Sequence, residues 1–276
     1  MEKPNSHSSP RKLGTGERLS VFIPDRNFVW LGATCDPNEE PDEEGKIEFV
    51  VDDASLGENR GEKRRFKASM LNALPLQNLD MPKTGVQDMC DLGFLHEASI
   101  LDNLHRRFGN SLPYTRSGEI CIAVNPYKWL DIYGEESMKL YASKLRHELP
   151  PHVFATSAEA YRSLKEKGTN QSILVSGESG AGKTETVKIM LNMLALVSSP
   201  PADSNSDSDS EGGSSSSASF KAPVVEKIIS ANPLLESFGN AKTARNDNSS
   251  RFGKLLELQF EEKGADLLYL SGSKCT

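Results

Sequence analysis

The sequence has little cysteine. Its four residues, Cys35, Cys90, Cys121 and Cys275, lie far apart and form no CxxC pair. That excludes the disulfide framework on which small secreted domains rely and points to reduced thiols in a cytosolic protein. No apolar run approaches the roughly 18 residues that a membrane-spanning helix requires. The opening stretch, MEKPNSHSSPRKLGTGE, lacks an apolar core and does not read as a signal peptide. Basic charge is not in excess either: 32 Lys and Arg face 39 Asp and Glu, a formal net charge of -7. A mildly acidic chain lacks the bulk electrostatic footprint for nucleic acid or anionic membrane. Part of the imbalance sits in Asp203, Asp207, Asp209 and Glu211, in a stretch with no Lys or Arg. What remains is a soluble intracellular protein of 276 residues, 37% hydrophobic, long enough to bury one sizeable core and one small one.

Residues 1–18 are polar and without period, which predicts a disordered tail. Over 19–76 short β-like runs (Val21–Ile23, Phe28–Leu31, Ile47–Val51, Phe66–Ala68) alternate with turn clusters, predicting a small β-barrel. From Val86 onward helix and strand signals alternate, as in an α/β core with a mixed or parallel sheet. Ile100, Leu101, Leu104 and Phe108 fall at helical spacing. Glu119–Val124 reads as a strand ending in the turn Asn125-Pro126. Tyr141–His147 and Ala155–Lys167 read as helices, Ser172–Ser176 as a buried strand, and Thr184–Val197 as a helix. Residues 198–220 hold eleven serines in 23 residues and too little apolar surface to fold, so a disordered loop is predicted. A helix over Val224–Ala231 and a second begun by Asn232-Pro233 follow. Leu256, Leu258 and Phe260 then alternate with polar residues as a half-buried strand. Residues 262–265 turn it into a hairpin with Leu267–Leu270.

The chemistry concentrates in Gly177-Glu178-Ser179-Gly180-Ala181-Gly182-Lys183-Thr184. It fits G-x-x-x-x-G-K-[ST] between a predicted strand and a predicted helix, the context that the motif demands. Glycines let successive N–H groups converge on phosphate oxygens, and the helix N-terminus adds its positive dipole end. Lys183 would reach the β- and γ-phosphates of a nucleotide, and the Thr184 hydroxyl would bind Mg²⁺. Asn240–Lys254 supplies amides, hydroxyls and two arginines ahead of a strand. By itself it reads either as an ordinary polar loop or as a binder of phosphate, Mg²⁺ and water.

GESGAGKTET, followed some sixty residues later by NAKTARNDNSSRFGK, resembles the P-loop and switch I of myosins. Asn125-Pro126-Tyr127-Lys128-Trp129-Leu130-Asp131-Ile132-Tyr133 is similar to the myosin purine-binding loop. LGFLHEASILDNLHRRF, PPHVFATSAEAYRSL and NPLLESFGNAKT also match the family's head. The resemblance runs from about Gln87 to Phe260. It implies a P-loop NTPase core, a partial mixed sheet flanked by helices, over 77–276, with an SH3-like β-barrel over 19–76. Residues 198–220 take the place of loop 1, beside the pocket, and Ser208 with Glu211 resembles an acidophilic kinase site.

The implied ligands are ATP and Mg²⁺. Asn125, Pro126 and Tyr133 would hold adenine. Gly177, Glu178, Ser179, Gly180, Ala181, Gly182, Lys183 and Thr184 would cradle the phosphates. Asn246 would touch the α/β-phosphates, Ser249 the γ-phosphate and lytic water, and Ser250 together with Thr184 the Mg²⁺. Lys183, Ser249 and Arg251 would be the catalytic set, Arg251 closing the site on a switch II glutamate. The implied setting is cytoplasmic and cytoskeletal. Actin is bound through segments outside this chain, and light chains or calmodulin through the full-length parent. Two departures stand out: Asp131 replaces a usual proline, and GADLLYLSGSKCT fits the family's hairpin poorly. Switch II (DxxGFE) is absent, so the chain is expected to lack turnover by itself. Two alternatives are a truncated ATP- or partner-binding module and a small P-loop phosphotransferase. The latter needs a Mg²⁺-holding acid; Glu261-Glu262 fits a solvated hairpin end better.

Two further signals are weak. His147-Glu-Leu-Pro-Pro-His152 has the letters of a zinc site at the wrong spacing, with prolines where a helix is needed. The basic run Arg60–Lys67 fits a solvated strand edge better than a nucleic-acid patch.

Overall fold

The first four strands follow the apolar alternation of the sequence and pair in chain order. They are β1 (Leu19–Asp25), β2 (Val29–Cys35), β3 (Lys46–Val51) and β4 (Lys63–Lys67), all antiparallel. The computed structural model describes residues 18–52, 61–199, 223–244, 246–262 and 268–276. The predicted tail and the serine-rich loop lie outside these residues apart from Arg18, Ser198 and Ser199. The chain divides into two units, Met1–Arg107 and Phe108–Thr276.

In the first unit, period-two alternation puts Val21, Ile23, Leu31, Ala33, Ile47, Phe49 and Val51 into one apolar core. A bridge from Val21 to Leu76 and the Gln77 amide, donating to Val21 O at 2.9 Å, bring the end of the segment back onto β1. Lys63–Lys67 of the basic run lie on β4, where acids answer them: Lys63 pairs with Glu48 at 2.9 Å, Arg64 with Asp25 at 2.6 Å and Arg65 with Asp42 at 2.6 Å. Arg64 and two backbone N–H groups hold the Asp25 carboxyl down to about 2. These pairings favour the solvated-edge reading for the described part of the run.

Helix α1 (Glu97–Gly109) forms where the spacing predicts, but its buried residues are Ala98, Ser99, Asn103 and Arg107. Leu101 and Phe108 are exposed. The reason is polar: the Asn103 amide accepts from Val86 N at 2.7 Å and donates to Val86 O at 3.3 Å, and Ser99 Oγ donates to Phe94 O at 2.7 Å. Hydrogen bonds to the preceding loop, not the apolar stripe, set this helix's orientation.

The second unit is built around α4 (Lys183–Val197). Met193 packs with Phe154 and Ala158 of α3 (Val153–Lys167) and Tyr141 of α2 (Glu135–Ser143). Leu191 and Ala195 pack with Val225 of α5 (Pro223–Gly239) and with Leu270 of the terminal hairpin. Among the described residues, three two-stranded antiparallel sheets complete the unit. They are β5 (Tyr114–Ser117) with β6 (Ile120–Ala123), β7 (Asn240–Ala241) with β8 (Ser249–Ser250), and β9 (Leu256–Glu262) with β10 (Leu268–Cys275). The last hairpin forms although its sequence departs from the family's pattern, with a register shift between Leu270 and Gly272. Among the described residues no helix is long and apolar enough to cross a membrane.

Four expectations need correction. The helix expected over Tyr141–His147 does not form: α2 ends at Ser143, and Arg146–Glu148 is a separate 3-10 turn. The mixed sheet does not form among the described residues, where every pairing is antiparallel. Ser172–Ser176 is neither strand nor buried: Leu174 is 91% exposed. A strand needs lateral partners for its N–H and C=O groups, and no described strand pairs with this one. Finally, Asn232-Pro233 does not start a new helix; α5 runs through it as one helix with Pro233 inside. Proline costs the helix one internal hydrogen bond there and does not end it.

Candidate nucleotide-binding site

The glycine-rich loop joins Ser172–Ser176 to α4. Gly180 (φ 83°) and Gly182 (φ 90°) adopt backbone that side chains rarely tolerate, and the curl lets Ala181 N–H reach Glu178 O at 3.2 Å. Gly182 caps α4 without a side-chain hydrogen bond, and a helix N-terminus of this kind suits an anion. Lys183 Nζ folds back to donate to Gly177 O at 2.8 Å and Glu178 O at 2.9 Å. The loop thus holds its own cation against its own carbonyls.

Opposite stands the turn between β7 and β8. Asn240 pairs with Ser250 and Ala241 with Ser249, so the turn's ends are fixed by a short ladder. Ser179 Oγ donates to buried Ser249 Oγ at 2.7 Å and lies 3.1 Å from Thr243 Oγ1. Three hydroxyls thus bridge two segments about seventy residues apart. Between them opens a cleft of about 300 Å³ lined by Gly177, Ser179, Lys183, Ser249, Ser250, Arg251, Phe252 and Gly253. Arg251 is exposed, and no carboxylate of the described residues lies within ion-pair distance of its guanidinium. Its N–H is held by Gly239 O at 3.0 Å.

Gly239 has a steric reason to be glycine, since a Cβ there would collide with the Phe252 ring. Phe252 lines the cleft. Gly239→Ala is therefore expected to displace Phe252 and weaken phosphate affinity several-fold, roughly 1 kcal/mol. Phosphate titration of the two proteins reads this, and equal affinities would show that Phe252 moves freely.

A second hollow, about 60 Å³, is lined by Asn125, Pro126 and Tyr133 together with Tyr114, Ala181, Gly182, Thr186 and others. The Asn125 amide donates to Gly180 O at 2.8 Å and Tyr127 OH reaches the same oxygen at 3.3 Å. The proposed base loop is thus tied directly to the glycine loop. Glu178, Gly180, Thr184 and Asn246 line neither space. Asn246 instead closes the turn, its N–H donating to Thr243 Oγ1 at 3.1 Å and its carbonyl accepting from Thr243 N–H at 2.8 Å.

Three residues at this site were given no role from the sequence: Tyr114, Thr243 and Phe252. Thr243 and Phe252 lay within the quoted motif, where their neighbours drew the attention. Tyr114 carried no local signal. His152 was noted only as the end of a mis-spaced zinc pattern. His152 instead lies buried as the cap of α3, with Nδ1 accepting from Phe154 N–H at 3.0 Å. Among the described residues no group of three or more His, Cys, Asp or Glu could hold a metal ion.

Burial pushes the His152 imidazole from the usual 6.5 down to about 4. Between those values the unfolded chain takes up a proton that the folded chain refuses. Stability should therefore fall as pH drops from about 6.5 to about 4 and level off below, by up to about 3 kcal/mol for this group. Urea midpoints at pH 7 and pH 4.5 should show a smaller difference in His152→Asn than in wild type, while parallel slopes would contradict the assignment.

Comparison with known proteins fits this arrangement to a family. The profile of the myosin head (motor domain) matches residues 86–270. The chain is 38% identical over 262 residues to human Myosin-14, covering 95% of this chain and 12% of that protein. It is 39% identical over 274 residues to the Myosin-J heavy chain of Dictyostelium discoideum, covering 94% of this chain and 12% of that protein. The chain belongs to the myosin head family. That membership implies a P-loop NTPase fold. The chain spans about one-eighth of the length of these two relatives.

Proposed function

We propose that this chain is the ATP-binding portion of an actin-based motor. The supporting observation is the cleft in which Lys183 and Ser179 face Ser249, Ser250 and Arg251. Its donors suit a polyphosphate: an ammonium, an uncapped helix N-terminus, three hydroxyls and a guanidinium. On this reading Lys183 leaves the carbonyls of Gly177 and Glu178 for the β- and γ-phosphates, and the rest of Gly177–Thr184 cradles them through the backbone. Asn246 would approach the α/β-phosphates. Ser249 orients the attacking water, and Arg251 closes the site against a carboxylate supplied from outside this chain. Asn125, Pro126 and Tyr133 hold adenine.

On this reading the hydroxyls of Thr184 and Ser250 would hold Mg²⁺, which favours hard oxygen ligands and would offset phosphate charge. Residues 19–76 act as an SH3-like module before the head portion at 77–276. The partner is the actin filament, met through segments outside this chain, with light chains or calmodulin on the full-length polypeptide. The setting is the cytoplasmic cytoskeleton.

If phosphate contacts dominate, the full-length polypeptide should bind MgATP and MgADP at least about 100-fold more tightly than AMP, since charged hydrogen bonds supply most of the affinity. Calorimetric titration of the three decides the matter, and AMP binding as tightly as ATP would overturn the reading.

A further inference from the structure

The base-side hollow has a back wall in which Tyr133 of the base loop meets residues from other segments. Tyr114 and Tyr133 both line it, their hydroxyls 3.0 Å apart and their rings perpendicular at 6.5 Å. Behind them sits His152, 5% exposed, its ring 4.7 Å from Tyr114 and 5.6 Å from Tyr133. Phe154 at 4.3 Å and Tyr141 at 5.1 Å close the rest of the cage. Because Nδ1 accepts the Phe154 N–H, the imidazole proton belongs on Nε2. Nε2 is buried and makes no hydrogen bond of normal geometry, with the carbonyl of Ile132 as its neighbouring acceptor. Ile132 precedes Tyr133 on the base loop. One imidazole therefore joins the start of α3 to that loop, through a nitrogen on one side and its ring face on the other.

We propose that His152 is a positioning residue of the base pocket, holding the Tyr114–Tyr133 ring pair in the place where it receives a purine base. The inference rests on the nucleotide reading above. A smaller side chain at 152 leaves a gap into which the Tyr133 ring can turn, breaking its hydroxyl contact with Tyr114 and widening the hollow. The phosphate side is spared, because Lys183, Ser179 and Ser249 make their contacts with one another's segments and not with this cage. Base affinity should fall while phosphate affinity stays, which a general folding defect would not produce.

The test titrates two probes, MgADP and magnesium tripolyphosphate, against the full-length polypeptide. His152→Asn retains an oxygen able to cap α3 but removes the ring. It should weaken MgADP about tenfold, the order of loss expected for one buried aromatic contact, and tripolyphosphate by less than about twofold. Tyr114→Phe deletes only the hydroxyl facing Tyr133 and should weaken MgADP about threefold with tripolyphosphate unchanged. If His152→Asn fails to fold, Tyr114→Phe decides alone. Equal losses for both probes, or unchanged MgADP affinity, would overturn the proposal. A wild type that bound tripolyphosphate no less tightly than MgADP would overturn it too, while leaving the phosphate site standing. A wild type that bound neither probe would remove the nucleotide reading and this inference together.

Discussion

Lys183→Ala is expected to weaken MgATP binding by the full-length polypeptide about 100-fold or more and to abolish its nucleotide-dependent release from actin. An ammonium paired with buried phosphate oxygens is worth roughly 2–4 kcal/mol, which converts to that factor. The structure adds a complication. Lys183 also holds the loop closed through Gly177 O and Glu178 O, so alanine removes an internal contact as well as a phosphate ligand. These internal bonds are exposed to solvent and easily replaced by water, so their loss should move the melting temperature of the nucleotide-free protein only slightly. Measuring the melt without nucleotide and the affinity with it separates the two effects. A variant with wild-type affinity for MgATP would remove Lys183 from the site and, with it, the assignment of the cleft.

The parts legible in the sequence are those that local physics dictates. Gly180 and Gly182 announce a backbone curl that few residues tolerate, and the helix behind Lys183 follows from its apolar spacing. The alternation in Lys46–Val51 puts Ile47, Phe49 and Val51 on the buried face, as it reads. What failed to show depends on groups remote in the chain. Ser172–Ser176 looks like a buried strand because its residues are apolar, but strand formation is decided by neighbours, and none of the described strands lies beside it. The apolar stripe of α1 was visible, whereas the side-chain amide of Asn103 that turns the helix toward Val86 was not. Pro233 reads as a helix start by local preference, yet packing of Val225 and Ile228 against α4 carries α5 through it. Tyr114, Tyr133 and His152 meet from three separate segments, so no spacing could have joined them.

Residues 1–276 expressed alone should show no actin-activated ATP turnover and should associate with themselves as concentration rises. Hydrolysis needs an in-line water and a closed site that excludes bulk solvent while the γ-phosphate charge is offset. On the proposed reading Arg251, which lines the cleft, closes it, and among the described residues no carboxylate meets its guanidinium. An unpaired exposed guanidinium leaves the cleft open to water, where its charge is screened and stabilises little. The self-association follows from exposed apolar surface. Leu174 is 91% exposed in a segment that pairs with no described strand, and Leu234 and Phe238 on α5 are 65% and 87% exposed. Extended chain with unsatisfied lateral hydrogen bonds and apolar side chains is a template for strand pairing between molecules. Placing a charge at the most exposed of these positions, Leu174→Lys, should suppress the association without restoring turnover, because it does nothing for Arg251. Light scattering against concentration reads the first effect and phosphate release with added actin the second. A monomeric 276-residue polypeptide whose ATP hydrolysis accelerated with actin would show that Arg251 finds its partner within this chain or needs none.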